Sequence, residues 1–418
     1  MTTVAERVPS IRIGSHALRT ELLSPLLRKR HQQRTIGGAP PPERSFGHSL
    51  RQTLLDTVGA LTAHLSFGKR PATPNRAVDQ VPFILNNLEQ LEWLYDRLAD
   101  DHSRSVLVDV LRAQALGLAY VPPPEHAARY RCRQQSMQRE LEAERTGARP
   151  WPPSLGQYCL RGPNGNVRMH AHEQHVLHTF LLERYAYLHG PTTIRTQPGD
   201  VVIDGGSRWG DAALYFADLV GSSGQVYALE HSPANAAVIA QNLTLNPRLL
   251  SRVRILEAAL SDRAGERVSY QAHGPVTTPV RVDPWGRLLV DTTTSTIDDI
   301  VEREKLRRVD FVRLDLDGTE LQALIGARKT VLTHRPTLAV SLYHRHEDIV
   351  TIPAYLDDVA PDFDFFLDDV TLHGKGVILF ARPRPDLHGD WGRTPSTEHA
   401  DRAHTDALET PRRTSQGR

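Results

Sequence analysis

The sequence predicts an α/β protein built on an open, doubly wound and mostly parallel sheet, with a helical N-terminal region before it. From residue 200 onward, short apolar runs alternate with segments of helical periodicity, as they do where parallel strands are joined by crossover helices. Before residue 190, apolar residues recur instead at steps of three and four, which is typical of amphipathic helices. At 418 residues, the chain is long enough to bury a core in each part.

The elements follow from the spacing of the apolar residues. Strands are predicted near 201–203, 225–229, 253–256, 311–314, 337–342, 363–367 and 377–380. Helices are predicted over 88–98, 107–118, 125–145, 173–188, 212–220, 233–245 and 321–332. Both ends of the chain are polar and rich in proline or arginine, and such segments bury too little apolar area to fold. We therefore predict a disordered arm over 1–50, a helical region over 51–190, an α/β domain over 191–383 and a disordered tail over 384–418.

The composition excludes several classes of protein. Fifty basic residues balance forty-nine acidic ones, so the net charge of +1 gives no overall field that would attract nucleic acid or an anionic membrane. Two cysteines are too few for a disulfide scaffold or a four-cysteine zinc site, and they suit a reducing compartment. The N-terminal residues lack a charged region followed by an apolar one, so we expect no secretory signal, and no uninterrupted apolar run approaches ~20 residues. We expect a cytoplasmic protein with no nucleic-acid partner and no membrane span.

The first predicted strand leads into a glycine-containing turn over 204–210. Ligands of doubly wound sheets bind beyond the carboxyl ends of the strands. Gly206 has no Cβ, so a ligand can approach the backbone, and the helix after Gly210 offers free N–H groups. The acidic Asp204 suits a cationic or amino-bearing ligand better than a pyrophosphate. Ser207 replaces the second glycine of the dinucleotide fingerprint that Gly205 would begin, which disfavours a NAD-linked dehydrogenase.

The second and third strands end in residues that suit a nucleoside. Glu230 closes the second strand, where a carboxylate can accept hydrogen bonds from both hydroxyls of a ribose. After the third strand, Ala259 and Leu260 are small or apolar enough to flank an adenine, and Asp262 could accept its exocyclic amine. An ordinary loop explains the 257–262 segment equally well.

The fourth and fifth strands end in candidate catalytic groups. Asp315 stands inside the end of an apolar strand, where an unpaired charge is costly, so we predict an active-site role for it. Asp317 either shares that role or caps the next helix. His344 follows the fifth strand and titrates near neutrality, as a general base should, although a histidine that only forms a hydrogen bond would look the same.

Together these motifs resemble the FkbM type of S-adenosylmethionine-dependent methyltransferase. The resemblance extends over about 200–383 and is carried, in family order, by Asp204-x-Gly206 with Gly210-Asp211, 226–230, Asn242-Leu243, 296–300, 309–320, 324–327 and 341–344. It implies a class I, Rossmann-like methyltransferase domain, S-adenosyl-L-methionine as methyl donor, and O-methylation of a hydroxyl on a sugar or natural product. Carried over by position, Asp204, Gly206 and Gly210 would line the methionine end of the donor, and Glu230 would bind its ribose.

The sequence departs from the family pattern at three places. The family commonly has lysine where Arg313 stands, Val-Glu-Gly where Leu316-Asp317-Gly318 stands, and Gly-Ala-Asn where Gly206-Ser207-Arg208 stands. The charge types at the fourth strand are kept. We therefore expect an active methyltransferase in which His344 removes the acceptor proton and Asp315 or Asp317 orients the base or the acceptor.

Alternative functions remain open from the sequence. The fold could hold a ligand or partner without turnover, as a binding or scaffold protein. Metal-assisted chemistry is suggested only by a set of histidines, and no metal site is predicted: His170, His172, His175 and His178. The helical region could shape a pocket for a small-molecule or glycan acceptor, form a homodimer surface, or dock a partner enzyme.

Overall fold

The computed structural model describes residues 82–116, 131, 132, 135, 155–271, 289–371 and 376–384. The predicted arm over 1–50 lies outside this part of the chain, as do nearly all of the predicted charged helix over 125–145 and of the predicted tail over 384–418. The boundaries predicted for the arm, the helical region, the domain and the tail stay predictions.

The N-terminal helices pack on one edge of the main sheet. They are α1 (Leu88–Arg97) and α2 (Asp101–Leu116), as the periodicity predicts. Leu91 and Leu94 of α1 and Leu107 of α2 are fully buried in the same apolar core as the domain. The backbone N–H of Ala99, between the helices, donates to the carbonyl of Phe365 at 2.9 Å. The helices are therefore fastened to the α/β domain by both core packing and a backbone hydrogen bond.

Two antiparallel hairpins follow before the main sheet. The elements are β1 (Gly156–Gly162), β2 (Gly165–Ala171), α3 (Glu173–Val176) with a π-helical continuation (Leu177–Leu181), β3 (Tyr187–His189) and β4 (Thr192–Ile194). The helix predicted over 173–188 was wrong in its second half. Glu183 adopts a left-handed φ of 48°, which breaks the helical path. Residues 184 and 185 then form a turn, and both Tyr185 and Tyr187 are buried in the core.

The domain alternates strands and helices as predicted, with additional short strands. Its elements are β5 (Val201–Gly205), α4 (Asp211–Leu219), β6 (Gln225–Glu230), α5 (Pro233–Thr244), β7 (Val253–Glu257), β8 (Ala259–Leu260), β9 (Arg267–Gln271), β10 (Leu289–Ser295), α6 (Ile297–Arg303), β11 (Phe311–Leu314), α7 (Glu320–Ile325), α8 (Arg328–His334), β12 (Thr337–Ser341), α9 (Asp348–Val359), β13 (Phe363–Asp369) and β14 (Val377–Pro383). The single helix predicted over 321–332 is divided at Gly326. A Cβ there would meet the carbonyl oxygen of Ser261 at 2.2 Å.

Seven strands form the central sheet in the order β13-β14-β12-β11-β5-β6-β7. Only β14 runs antiparallel to its neighbours. Alternate residues of a strand enter different cores, as Val202 and Ile203 of β5 illustrate. Helices α4 and α5 pack on one face, and α6 to α9 pack on the other. The predicted doubly wound, mostly parallel α/β fold is thus confirmed.

Strand order decides where the polar strand ends meet. The central strands β11, β5 and β6 are adjacent and parallel, so the residues after them lie at one edge of the sheet. A small sheet of β8, β10 and β9 stands beside this edge. None of the helices in the described ranges combines the length and the apolar character needed to cross a membrane.

Candidate active site

A cavity opens at the carboxyl ends of β5, β6 and β11. Six of the residues singled out in the sequence line it: Gly206, Glu230, Ala259, Leu260, Asp315 and Asp317. The wall is completed by residues at or after the ends of β5, β6, β7 and β11 and by residues of β9 and β10: Arg208, Leu229, His231, Ala258, Val268, Tyr270, Thr292, Leu316 and Thr319. Parallel strand ends therefore converge on one cavity, as the fold class predicts.

The turn after β5 is shaped by Gly206. This residue has a φ of 83°, and a Cβ on it would lie 2.2 Å from the backbone oxygen of Asp315. Only glycine combines this left-handed conformation with so close an approach of two backbone segments. The Oγ of Ser207 donates to the carboxylate of Asp204 at 2.7 Å and holds the turn from inside. The turn thus presents backbone, rather than side chain, to the cavity at Gly206.

Asp204 lies behind the cavity rather than in its wall. Its side chain has 0% exposure, and its Oδ1 atom is 3.0 Å from Nη1 of Arg313. Burial raises the pKa of Asp204 despite this ion pair and the Ser207 hydrogen bond. Gly205, Ser207 and Gly210 are likewise outside the lining set. Asp204 was expected to suit a cationic ligand, but its cationic partner is Arg313 of the protein itself. Asp204 therefore supports the turn.

Arg313 at the end of β11 holds two carboxylates together. Its Nη2 atom lies 2.7 Å from Oδ2 of Asp315, while Nη1 contacts Asp204 and donates to the carbonyl of Gly206 at 3.0 Å. Nη2 also donates to the hydroxyl of Tyr185 at 2.5 Å. The planar guanidinium with its five donors suits such a fork, which an ammonium could fill only in part. Arg313 therefore links the β5 turn to the end of β11.

Asp315 is the most strongly stabilised anion of the site. Burial alone would raise its pKa, but Arg313, Arg184 and Arg208 together hold the pKa well below its usual range. Its Oδ1 atom accepts a hydrogen bond from the hydroxyl of Tyr343 at 2.6 Å. The argument that a charge at this strand end must be used or paired agrees with these contacts. The cavity therefore has a wall residue that stays ionised over the whole physiological pH range.

Two arginine and tyrosine pairs around Asp315 were missed by sequence reasoning. The guanidinium of Arg184 stacks 4.8 Å from the ring of Tyr343, and that of Arg313 stacks 4.6 Å from the ring of Tyr185. Arg184 and Tyr185 belong to the segment before β3, where the sequence indicated a helix and no strand end. Tyr343 could have been found from the sequence, because it follows β12 and stands beside His344.

His344 lies in a cluster of three carboxylates. Its Nδ1 atom is 2.6 Å from Oε1 of Glu320, and its Nε2 atom is 3.4 Å from Asp315 and 3.5 Å from Asp317. Burial lowers the pKa of His344, but Glu320, Asp315 and Asp317 outweigh it and raise the pKa above the usual value. Glu320 fixes one ring nitrogen, so the other faces the two aspartates that line the cavity.

Glu320 and Asp317 form hydrogen bonds beyond those expected of residues at the start of a helix. Glu320 is fully buried and accepts the backbone N–H groups of Leu316 at 2.7 Å and Gly318 at 3.0 Å. Asp317 adopts a left-handed φ of 54°, and its Oδ1 accepts from Nη2 of Arg208 at 2.5 Å. Oxygen and nitrogen atoms of Asp315, Glu320 and His344 also lie within 4.8 Å of one another, a spacing at which a metal ion could be held.

Glu230 closes β6 with its carboxylate in the cavity wall. The carboxylate accepts backbone N–H groups of Arg208 at 2.9 Å and Ser232 at 2.8 Å, and the side-chain amide of Asn235 at 3.3 Å. Burial raises the pKa of Glu230 to about 7, although these hydrogen bonds and Arg208 act in the opposite direction. The group is therefore held in place, and its charge changes near neutral pH.

Part of the cavity wall is formed by apolar side chains. Ala259 and Leu260 lie in it as predicted, and Tyr270 of β9 contributes a ring that stands edge-on to His231 with centroids 4.6 Å apart. Asp262 is exposed, lies outside the lining set and accepts from Oγ of Ser261 at 3.1 Å. Its predicted contact with an adenine amine has no counterpart in this placement. Tyr270 was missed because the sequence shows only irregular chain there.

Among the described residues, the histidines considered as alternative metal ligands form no group with the spacing of a metal site. Nδ1 of His175 lies 3.5 Å from Asp211, and the ring of His172 packs 4.7 Å from that of Trp209. Burial lowers the pKa of His178 to about 4. Their helical spacing is interrupted because the chain passes from α3 into the π-helical turn after Val176.

The strand order, the reversed strand next to the sheet edge and the cavity at β5, β6 and β11 define a class I methyltransferase fold. Residues 197–369 match the family model described as the methyltransferase FkbM domain. The resemblance found in the sequence is thus confirmed over this segment.

Solved structures with similar chains are also methyltransferases or related proteins. The methyltransferase FkbM from Methylobacillus flagellatus KT is 19% identical with a TM-score of 0.47, and the match covers 74% of this chain and 63% of that one. Fibrillarin from Aeropyrum pernix, in complex with natively bound S-adenosyl-L-methionine, is 14% identical with a TM-score of 0.34, covering 56% and 85%. A methyltransferase from Geobacter sulfurreducens is 18% identical with a TM-score of 0.28, covering 45% and 72%. No curated protein sequence shows significant similarity to the chain.

Proposed function

We propose that this protein transfers a methyl group from S-adenosyl-L-methionine to a hydroxyl of a sugar or natural-product acceptor. The observation that carries the proposal is the carboxylate of Glu230, which lines the same cavity as Gly206 and Asp315. Glu230 can accept hydrogen bonds from the ribose hydroxyls of that donor. The backbone at Gly206 can contact its methionine end, and ionised Asp315 suits its positively charged sulfur. The two cysteines also support the cytoplasm as the proposed location.

The donor site that we propose is built from three kinds of contact. A carboxylate has about four lone-pair positions, so Glu230 can accept ribose hydroxyls beside its present donors. Ala259 and Leu260 offer apolar surface for the adenine. Gly206 lines the cavity at the β5 turn, and Asp204 with Ser207 stabilises that turn from behind. When bound, the donor supplies a methyl group already activated by a positively charged sulfur.

Electrostatics supports a cationic ligand. Asp315 remains ionised because three arginines lower its pKa, and it lies in the cavity wall with Asp317. An anion fixed before the ligand arrives requires no reorganisation to favour a cation. Asp317 is paired with Arg208 and Asp315 with Arg313, so the field that each carboxylate adds to the cavity is partly compensated.

The acceptor side of the proposal rests on His344. His344 lies outside the lining set, but with its Nδ1–H donated to Glu320 its Nε2 atom is 3.4 Å from Asp315 and 3.5 Å from Asp317, both of which line the cavity. In its neutral form the ring takes the hydroxyl proton at Nε2 while the acceptor oxygen forms its bond to the methyl carbon. The bond from that carbon to the sulfur breaks at the same time, and the donor leaves as a neutral thioether. The carboxylates around the ring stabilise the imidazolium that results. Asp315 and Asp317 orient the ring and the acceptor hydroxyl.

A transfer assay tests the function. Full-length protein is incubated with S-adenosyl-L-methionine labelled on its methyl group and with hydroxylated sugars and natural products, each paired with its deoxy analogue. We expect label in the hydroxylated member of at least one pair and none in the deoxy member. Transfer to acceptors that lack a hydroxyl would contradict O-methylation. Donor binding without transfer to any acceptor would favour a non-catalytic binding protein.

Donor binding should depend on pH through Glu230. Because the pKa of Glu230 is raised to about 7, the free protein carries a protonated Glu230 below neutral pH. The ionised form accepts the ribose hydroxyls, so affinity should weaken by up to about tenfold per pH unit below pH 7 and level off about one unit above it. Titration calorimetry with wild-type protein and Glu230→Gln at several pH values checks this. An equal pH dependence in both proteins would assign the titration to another group.

A further inference from the structure

Arg208 lies in the wall of the cavity, and no other arginine or lysine occurs among the described residues that line it. The acidic side chains of the same wall are those of Glu230, Asp315 and Asp317. The donor contacts proposed above give a role to the acids but none to this guanidinium. The donor also carries one negatively charged group, the α-carboxylate of its methionine end, for which no partner has been named.

The backbone of Arg208 is strained and is fixed to the acid proposed to bind the ribose. Its φ of 49° is left-handed, a conformation that is uncommon for residues other than glycine, asparagine and aspartate. Its backbone N–H donates to Oε2 of Glu230 at 2.9 Å. Strained residues persist where their surroundings require them, and they cluster at ligand sites. The side chain of Arg208 therefore starts from a fixed point beside Glu230.

The side chain carries its positive charge from Glu230 to the aspartates after β11. Its Nη2 atom donates to Oδ1 of Asp317 at 2.5 Å, and the side chain is only 16% exposed. Burial lowers the pKa of Arg208, but the charges of Asp315 and Asp317 outweigh burial and raise the pKa. The guanidinium is therefore always charged, and it lies in the part of the cavity where those two carboxylates stand.

The guanidinium of Arg208 has hydrogen-bond donors that the protein does not use. Within the part of the chain that the structure describes, Asp317 is its one hydrogen-bond partner, and its Nε atom is buried without any. A guanidinium carries five N–H donors in one plane, and a buried donor without an acceptor is unfavourable. Oxygen atoms of a ligand in the cavity would satisfy these donors.

The charges of the cavity wall match those of S-adenosyl-L-methionine. The methionine end of this donor combines a positive sulfur, a positive amino group and a negative carboxylate. Ionised Asp315 suits the two positive groups, and Arg208 suits the negative one. Arginine binds carboxylates through strong, charge-assisted hydrogen bonds, which are often two in parallel. A single ligand can therefore use both the acids and the base of this wall.

We propose that Arg208 binds the α-carboxylate of the methyl donor and makes the cavity selective for donors that retain this group. The inference rests on the proposed function, because it requires the donor to occupy the cavity. Arg208 then serves both ends of the donor, since its backbone holds the acid for the ribose and its guanidinium binds the carboxylate. Anchoring at two ends orients the methyl group for transfer.

Calorimetric titration with two donors tests this assignment. Full-length protein at about pH 8, where Glu230 is ionised, is titrated with S-adenosyl-L-methionine and with its decarboxylated form, which lacks only the α-carboxylate. We expect wild-type protein to bind the complete donor about 10–100-fold more tightly. Arg208→Asn removes the guanidinium but keeps the backbone N–H, and asparagine tolerates the left-handed φ. This variant should bind the two compounds with Kd values within about threefold of each other.

Two further variants serve as controls. Arg208→Lys keeps the charge but not the planar fork, so its preference for the complete donor should fall between those of wild type and Arg208→Asn. Arg263→Gln changes an arginine that is 74% exposed and outside the lining set, and it should keep the preference of wild type. Circular dichroism verifies that each variant is folded.

The outcomes separate this inference from the proposed function. Equal binding of the two compounds by wild-type protein would overturn the role of Arg208. So would an Arg208→Asn variant that loses affinity for both compounds alike, because Arg208 would then support the cavity without binding the carboxylate. If wild-type protein binds neither compound, the assignment of the cavity to the methyl donor fails, and this inference fails with it.

Discussion

Replacing Arg313 with methionine should lower the free energy of unfolding by about 3–5 kcal/mol, because it leaves two buried carboxylates without their shared cation. Asp204 is fully buried and Asp315 is nearly so, and both contact the Arg313 guanidinium. Methionine retains much of the side-chain length, so the loss reflects charge and hydrogen bonding more than an empty space. Urea unfolding followed by circular dichroism measures the change.

Lysine at the same position provides the matched control. Arg313→Lys keeps the positive charge but cannot contact Asp204, Asp315 and the Tyr185 hydroxyl at once. We expect its stability to fall between those of wild type and Arg313→Met. If Arg313→Met is as stable as wild type, the guanidinium does not hold the β5 turn and the end of β11 together as described.

Replacing His344 with glutamine should reduce kcat by about 10²–10⁴-fold, the usual contribution of a general base. Glutamine can still form a hydrogen bond with Glu320, but it cannot take up the hydroxyl proton. The Kd for S-adenosyl-L-methionine should stay within about twofold of wild type, because the proposed donor contacts lie at Glu230 and Gly206. Transfer kinetics and donor titrations are measured on the same preparation.

His346 offers a control two residues away. Its side chain is 53% exposed and its Nε2 atom lies 3.9 Å from Glu347, so His346→Gln should leave turnover unchanged. Equal losses of donor affinity and turnover in His344→Gln would show that His344 supports the donor site rather than proton removal. Unchanged turnover in His344→Gln would move the role of base to Asp315 or Asp317.

The strands that border the cavity could be predicted because hydrophobic periodicity indicates where each strand ends. Glu230, Asp315 and Asp317 therefore appeared as neighbours before any distance was known, and all three line the cavity. The predicted helix over 173–188 failed because Glu183 leaves the helical region of φ, a local event that periodicity does not record. The β9–β10 pair was missed for a similar reason, since its residues lack a continuous apolar run.

The direction of individual side chains was the harder problem. Asp204 and Asp262 were chosen for their positions after strands, yet one is buried against Arg313 and the other is exposed. Arg184 and Tyr185 reach Asp315 from a segment outside the sheet, so strand-end reasoning had no means to include them. Long-range pairing of this kind depends on tertiary packing.

Binding of S-adenosyl-L-methionine, measured by titration calorimetry at about pH 8, tests the central claim most directly, because Glu230 is then ionised. Wild-type protein should bind the donor, and Glu230→Gln should bind it about 10–100-fold more weakly through the loss of charge-assisted hydrogen bonds. Glu257→Gln changes the exposed acid paired in register with Glu230 on β7 and should bind as wild type does. No binding to wild type, or equal binding by Glu230→Gln, would contradict the assignment of this cavity to the methyl donor.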